Sequence, residues 1–190
     1  MGDLPNELQV LVDALNAIDR DARALVEGLS PEEGAWRPAP GAWSVAECLD
    51  HLATANRVYL AAMDPPAARA LAAGRARRGP ARPGVIGRWF VRSLEPPPRR
   101  IYRSKAPRLI RPRQAPPLAD AVDAFFASQE AVRRFIRSYA TLDLSRIRFP
   151  NPFVPGVRFR LATGLHVIAA HDRRHLWQAR RVREALSGRA

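Results

Sequence analysis

The stretch that decides the fold runs from Leu161 to Leu186 and reads LATGLHVIAAHDRRHLWQARRVREAL. Its apolar residues recur at three- and four-residue steps or their multiples: Leu161, Leu165, Ile168, Leu176, Ala179, Val182 and Leu186. This spacing puts them on one face of a helix, so the sequence predicts a long amphipathic helix over residues 161–186. The same stretch carries two histidines, His171 and His175, separated by one helical turn.

Three earlier segments show the same periodicity and predict helices over residues 4–29, 44–64 and 118–140. The second begins with Ser44 three residues before Glu47, an S-x-x-E capping box, and Pro65-Pro66 is expected to end it. Four long amphipathic helices predict an all-α protein built as a four-helix bundle. At 190 residues we expect one domain spanning residues 1–190.

Three other segments interrupt the helical pattern. Residues 30–41 contain three prolines and two glycines, which disfavour both helix and strand. Residues 65–117 are predicted to form one long irregular crossover between the second and third helices, because prolines recur throughout them. Within that crossover, residues 86–94 place apolar side chains on one face and are compatible with a short helix. Residues 157–159 are compatible with a short extended piece.

The net positive charge of the chain comes from this crossover. Residues 65–118 hold 14 basic residues and one acid, Glu95, whereas the rest of the chain holds 17 basic and 17 acidic residues. The formal charge of +13 therefore belongs to one segment. Arginine-rich stretches from Arg75 to Arg82 and from Arg99 to Arg113 could attract phosphate, with Trp89 and Tyr102 as stacking surfaces. An Arg- and Pro-rich composition can equally reflect genomic base composition.

Three of the four histidines form a pattern that can bind one metal ion. On a helix, His171 and His175 project about 40° apart and about 6 Å apart along the axis. Both lie beside the apolar stripe of the last helix, and His51 lies beside the stripe of the second. Side chains in such positions can converge between facing helices. Three imidazoles leave one position of a tetrahedral ion open for water or substrate, as in catalytic sites.

The spacing has a simpler explanation too, since an H-x-x-x-H pair occurs by chance and its imidazoles can form ordinary hydrogen bonds. The glutamate of the H-E-x-x-H protease motif is absent. His166 lies on another side of the helix and is assigned to surface or interhelix hydrogen bonding. Asp172 faces inward, where it could orient a ligand, pair helices or lie beside an arginine. Cys48 is expected to be a small core residue.

The chain carries Trp43-Ser44 followed by a helix with Leu49 and His51, and later an H-x-x-x-H element. In these elements it resembles the DinB-like, or YfiT-like, metal-binding four-helix bundles. The resemblance covers nearly the whole chain. It implies a divalent ion, zinc or nickel, bound by His51, His171 and His175. It also implies a low-molecular-weight thiol as a cosubstrate, because some members of the family are thiol-dependent transferases or isomerases. No general acid or base can be assigned from the sequence, because the candidate acids Glu47, Asp50 and Asp172 have no distinguishing spacing.

Three functions remain open from the sequence. The first is a metal-dependent enzyme, a thiol transferase or isomerase, acting on a small molecule. The second is an anion- or nucleic-acid-binding module that uses residues 65–118, although no nucleic-acid motif is visible. The third is a noncatalytic metal-binding bundle that forms a homodimer.

No signal peptide or apolar stretch of membrane-spanning length is present, so we expect a cytoplasmic protein without a membrane partner. Trp36 and Trp43 are expected to pack over the bundle end, and Phe125, Phe126 and Phe135 in the core.

Overall fold

A computed structural model of the protein describes residues 3–97 and 106–188. The described part contains six α-helices, one 3-10 helix and two short strands. The helices are α1 (Asn6–Val26), α2 (Pro31–Ala35), α3 (Val45–Ala72), α4 (Val85–Leu94), α5 (Leu118–Ser138) and α6 (Leu161–Ser187), with the 3-10 helix at Arg108–Ile110. The strands are β1 (Arg148–Pro150) and β2 (Arg158–Arg160). Among these helices, none has the length and apolarity needed to cross a membrane.

The four long helices α1, α3, α5 and α6 form the bundle. Helix α3 packs along both α5 and α6, and α1 lies against the same two helices. Their apolar faces meet in a core whose largest buried side chains include Leu8, Leu15, Leu52, Phe125 and Ile136. The predicted all-α bundle is therefore confirmed. Its packing follows the apolar spacing, since burying one face of each helix provides most of the helical stability.

Helix α2 lies in a segment whose prolines and glycines were expected to disfavour regular structure, and that expectation is wrong for residues 31–35. Ser30 and Glu33 form a capping box: the Glu33 N–H donates to Ser30 Oγ (3.2 Å), and the Ser30 N–H donates to Glu33 Oε2 (2.8 Å). Pro31 occupies the first turn, where its missing N–H costs nothing. The S-x-x-E signal was present in the sequence and identifies this helix.

Helix α3 continues to Ala72, so the prediction that Pro65-Pro66 ends it is wrong. Each interior proline removes one helical hydrogen bond, which disfavours continuation. Two tertiary contacts offset this loss. Ala67 and Ala70 are buried beyond the prolines, and the Tyr139 hydroxyl donates to Asp64 Oδ1 (2.8 Å) just before them. Helix packing thus outweighs the local preference to stop.

The crossover is less irregular than predicted, since it contains α4 and the 3-10 helix besides the end of α3. Helix α4 lies against α6, where Gly87 permits a close approach: an added Cβ would lie 2.6 Å from Thr163 Oγ1. The other face of α4 exposes Val85, Ile86 and Trp89. Helix α4 confirms the short helix that the apolar spacing of residues 86–94 allowed.

A β-hairpin connects α5 to α6. Strands β1 and β2 pair antiparallel, with Phe149 opposite Phe159, and both phenylalanines are buried. The extended piece expected at residues 157–159 corresponds to β2, shifted by one residue, whereas β1 was not anticipated. The ladder leads directly into Leu161 and sets where α6 begins.

Candidate metal centre

Three histidines meet between α3 and α6. His51 comes from the second turn of α3, and His171 and His175 come from successive turns of α6. The Nε2 atoms of His51 and His171 lie 3.3 Å apart, and one ligand atom from each of the three rings lies within 4.8 Å of the others. The structure therefore brings together all three side chains that the sequence indicated. They form a cluster that could hold a metal ion.

Hydrogen bonds at the far side of two rings determine which nitrogen faces the cluster. His51 Nδ1 lies 2.5 Å from the carbonyl oxygen of Ile110, and His175 Nδ1 lies 2.9 Å from Gln178 Oε1. Because each partner oxygen can only accept, Nδ1 carries the proton in both rings. The Nε2 atom of each neutral ring then keeps its lone pair, which is the form of imidazole that binds a metal.

Burial keeps the imidazoles uncharged. It is the largest cause of the lowered pKa of His51, partly opposed by the Ile110 carbonyl and by Asp50. Burial, with the neighbouring His51 and Arg174, lowers the pKa of His171 to about 3. Burial, with the neighbouring His171, His51 and Arg174, also lowers the pKa of His175 well below its ordinary value. All three side chains are therefore neutral at pH 7, as metal ligation requires.

The distance between two of the nitrogens is compatible with a shared ion. Zinc binds imidazole nitrogen at about 2.0–2.1 Å, so two nitrogens on one tetrahedral ion lie about 3.3–3.4 Å apart. The separation of the His51 and His171 Nε2 atoms, 3.3 Å, has this value. A set of three neutral imidazoles suits zinc and nickel, among other transition metals, rather than magnesium or calcium. The three nitrogen donors could therefore hold a transition-metal ion.

Trp43 forms one wall of the cluster. Its ring centroid lies 4.7 Å from that of His51 and 5.6 Å from that of His175. The next residue, Ser44, caps α3 by accepting from the Glu47 N–H (3.1 Å), while the Ser44 N–H donates to Glu47 Oε2 (2.9 Å). Arg37 forms an ion pair with the same carboxylate. The capping box therefore fixes where the chain enters α3 and places the indole over the histidines.

The end of the crossover also contacts His51. Asp50 is buried, and its carboxylate accepts two hydrogen bonds from Arg113, one from the backbone N–H to Oδ2 and one from Nε to Oδ1, each 2.8 Å. Ile110, three residues earlier, is buried and supplies the carbonyl that His51 contacts. Sequence reasoning missed this contact, because every residue has a carbonyl and no side-chain pattern distinguishes Ile110.

Asp172, the residue after His171 on α6, lies in a polar network that joins three helices. Its carboxylate accepts from Gln129 Nε2 (2.6 Å) on α5 and from Asn56 Nδ2 (3.2 Å) on α3. Burial raises the pKa of Asp172 to about 7, although both hydrogen bonds and Arg173 act against that change. Of the roles considered for Asp172, the hydrogen bonds support pairing helices, and the effect of Arg173 on its pKa shows that an arginine also lies nearby.

The other predicted residues lie outside the cluster. His166 is half-buried, and burial together with Arg173 lowers its pKa. Cys48 is fully buried in the core, as expected, and burial and the charge of Glu47 raise the pKa of its thiol.

Trp36 packs partly buried against the core. Phe125 and Phe135 are core residues, whereas Phe126 is half-buried beneath the guanidinium of Arg23.

Part of the crossover charge is used within the molecule. Arg77 pairs with Glu7 of α1, and Arg113 pairs with Asp50 of α3. The one acid of the segment, Glu95, pairs with Arg173 of α6. Exposed arginines remain at positions that include Arg75, Arg78, Arg82, Arg88 and Arg92. The arginines and the lysine between residues 98 and 105, which the anion-binding hypothesis also uses, lie outside the described residues, as does Tyr102.

Comparison with known protein families matches residues 14–179 to the family model described as the DinB superfamily. The matched range covers most of the chain and includes all three clustered histidines. No curated protein and no solved structure gives a significant match.

Proposed function

The chain belongs to the DinB superfamily, and from this premise we propose that it is a divalent-metal-dependent enzyme in which His51, His171 and His175 bind the ion. The observation that carries the proposal is the convergence of these imidazoles from two helices, with Nδ1 of His51 and of His175 each bonded to an oxygen outside the cluster. Zinc and nickel are the proposed ions, because the ligands are three neutral nitrogens.

The reaction we propose is a thiol-dependent transfer or isomerisation, similar to the reactions of some members of the DinB-like family. Three protein ligands leave room for an incoming group, and a bound divalent ion supplies Lewis acidity that makes a coordinated thiol or water more acidic. Arg174, whose charge lowers the pKa of His171 and His175, adds a positive field that favours an anionic reactant. Trp43 covers the rings of His51 and His175 and limits the access of water to them.

Metal content tests the first part of the proposal. Tag-free protein incubated with zinc or nickel and then desalted should retain about one ion per chain by elemental analysis. The His171→Ala, His175→Ala double variant should retain almost none, because one imidazole alone binds weakly. His166→Ala is the matched control, since it removes a histidine of the same helix from outside the cluster, and it should retain the wild-type amount. A wild-type content near zero would overturn the proposal.

A second measurement separates an enzyme from a noncatalytic metal-binding bundle. Cobalt-substituted protein should develop a sulfur-to-metal charge-transfer absorption when a low-molecular-weight thiol is added, because an open coordination position admits the thiolate. A spectrum that the thiol leaves unchanged, in protein that has bound cobalt, would favour the noncatalytic alternative.

A further inference from the structure

The crossover returns to the bundle at a buried carboxylate beside the histidine cluster. Asp50 is 2% exposed and immediately precedes His51. Both of its oxygens accept from Arg113, one from the backbone and one from the side chain. The contact with the backbone N–H fixes the position of the main chain at Arg113, and the contact with Nε fixes the orientation of the Arg113 side chain. A carboxylate bound by two charge-assisted donors is among the stronger hydrogen-bonding arrangements in proteins.

This attachment determines what His51 can contact. The 3-10 helix ends at Ile110, three residues before Arg113, and the carbonyl of Ile110 accepts the hydrogen bond from His51 Nδ1. His51 and Ile110 are 59 residues apart in the chain, so nothing in α3 itself supplies this partner. Without such a partner, the proton of a neutral imidazole can occupy either nitrogen. Only the tautomer protonated at Nδ1 presents a lone pair at Nε2 to the cluster.

We propose that Asp50 and Arg113 are positioning residues that hold the Ile110 carbonyl against His51 and thereby fix the tautomer and ring orientation of this ligand. The inference deepens the proposed function and rests on it for its consequence, namely tighter metal binding. It also gives the cationic crossover a role in the molecule: its last residues complete the surroundings of the cluster. Hydrogen-bond partners behind a metal-bound histidine commonly act in this way.

Two variants, called the clamp variants below, weaken to different degrees the clamp that Asp50 and Arg113 form. Arg113→Ala removes the bond from Nε, keeps the backbone N–H, and alters a side chain that is 58% exposed, so its folding should be unaffected. Asp50→Ala removes both bonds. Arg146→Ala is the matched control: Arg146 is 73% exposed and pairs with a buried acid, Asp143, in a segment outside the cluster.

The direct measurement is the tautomer of His51 in the metal-free full-length protein, read from two-bond proton–nitrogen correlations of the imidazoles. Wild type and Arg146→Ala should show the proton at Nδ1. Both clamp variants should show a mixture of the two tautomers, with the larger change in Asp50→Ala. A proton at Nε2 in the wild type, or an unchanged Nδ1 proton in both clamp variants, would overturn the inference.

Zinc affinity, measured by competition with a chromogenic chelator, gives the second readout. We expect the clamp variants to bind zinc about 10- to 100-fold more weakly than the wild type. Arg146→Ala should stay within about twofold, because it touches none of the contacts that orient the cluster. Zinc binding by the wild type with equal affinity in all variants would contradict the positioning role and leave the metal site standing. The expected tautomer changes in protein that binds no zinc would support the clamp and overturn the proposed function.

Discussion

The indole of Trp43 packs at a tilt against two of the three clustered imidazoles, those of His51 and His175. An aromatic ring in direct contact with ligands reports on whatever ion they bind, because paramagnetic ions quench indole fluorescence at short range. The chain has four tryptophans, and Trp89 is exposed on α4. Substitution of single tryptophans can therefore show which of them senses the ion.

We predict that nickel quenches the tryptophan fluorescence of the wild type and saturates near one equivalent. Trp43→Phe should lose most of this quenching while keeping an aromatic ring against His51. Trp89→Phe is the control and should keep it. Equal quenching in Trp43→Phe and wild type would show that nickel binds somewhere other than beside this indole.

Single residues also show which parts of the cluster a sequence reveals. The three histidines could be found because imidazole is a distinctive ligand type and because a four-residue spacing puts His171 and His175 on one helix face. The Ile110 carbonyl could not be found, since its position depends on a contact between residues 50 and 113. The wall formed by Trp43 was only partly foreseen: packing at the bundle end was expected, and contact with the ligands was not.

At the scale of elements, the crossover is attached to the bundle at both ends. Near its start, Glu7 of α1 accepts a hydrogen bond from the Ala81 N–H (2.9 Å) and forms an ion pair with Arg77. Burial alone would raise the pKa of Glu7, but these contacts outweigh burial and lower it. The ionised carboxylate is therefore the form that stabilises the attachment.

The lowered pKa of Glu7 predicts a pH-dependent loss of stability in Glu7→Gln. Above the ordinary glutamate pKa of 4.5, the variant should have a free energy of unfolding lower by roughly 1 kcal/mol, measured by urea denaturation. As the pH falls through the lower folded-state pKa, the wild type becomes protonated and loses this advantage, so the two curves should converge. Glu184→Gln, at a 60% exposed pair, should match the wild type throughout. A difference that persists at low pH would contradict the ionic origin.

The long helices could be predicted because apolar spacing is a local signal that each segment carries by itself. The end of α3 could not, since Pro65 and Pro66 favour termination locally while Ala67 and Ala70 are buried by other elements. The helical pattern of α4 was visible for the same local reason as the long helices. The surface against which it packs was not visible, because the fit of Gly87 to Thr163 joins residues far apart in sequence.

At the scale of the whole molecule, a buried polar network ties the bundle together. Gln129 of α5 donates to Asp172 of α6, which also accepts from Asn56 of α3. Gln9 makes a comparable bond on the surface of α1, where its Nε2 donates to Asp13 Oδ1 (2.9 Å). The two glutamines have the same donor and the same type of acceptor, but Gln129 is buried and bonds to another helix, whereas Gln9 is exposed and bonds within its own helix.

We predict that Gln129→Leu lowers the free energy of unfolding by about 1–3 kcal/mol, because it leaves the buried Asp172 with fewer donors. Gln9→Leu should change it by less than about 0.5 kcal/mol, since water replaces a lost partner at the surface. Chemical denaturation followed by circular dichroism measures both. Equal effects in the two variants would mean that the buried network contributes no more to stability than the exposed pair.

His51 and His171 are 120 residues apart in the chain and meet only when α3 and α6 have packed. An unfolded polypeptide therefore offers no ready-made three-nitrogen chelate, and an ion bound there would select the native state. At a free-ion concentration 100 times the dissociation constant, such selection adds about 2.7 kcal/mol to the folded state. When the metal is scarce, the protein would then unfold more often and be cleaved by proteases more readily. Its abundance in the cell would therefore follow the supply of the metal.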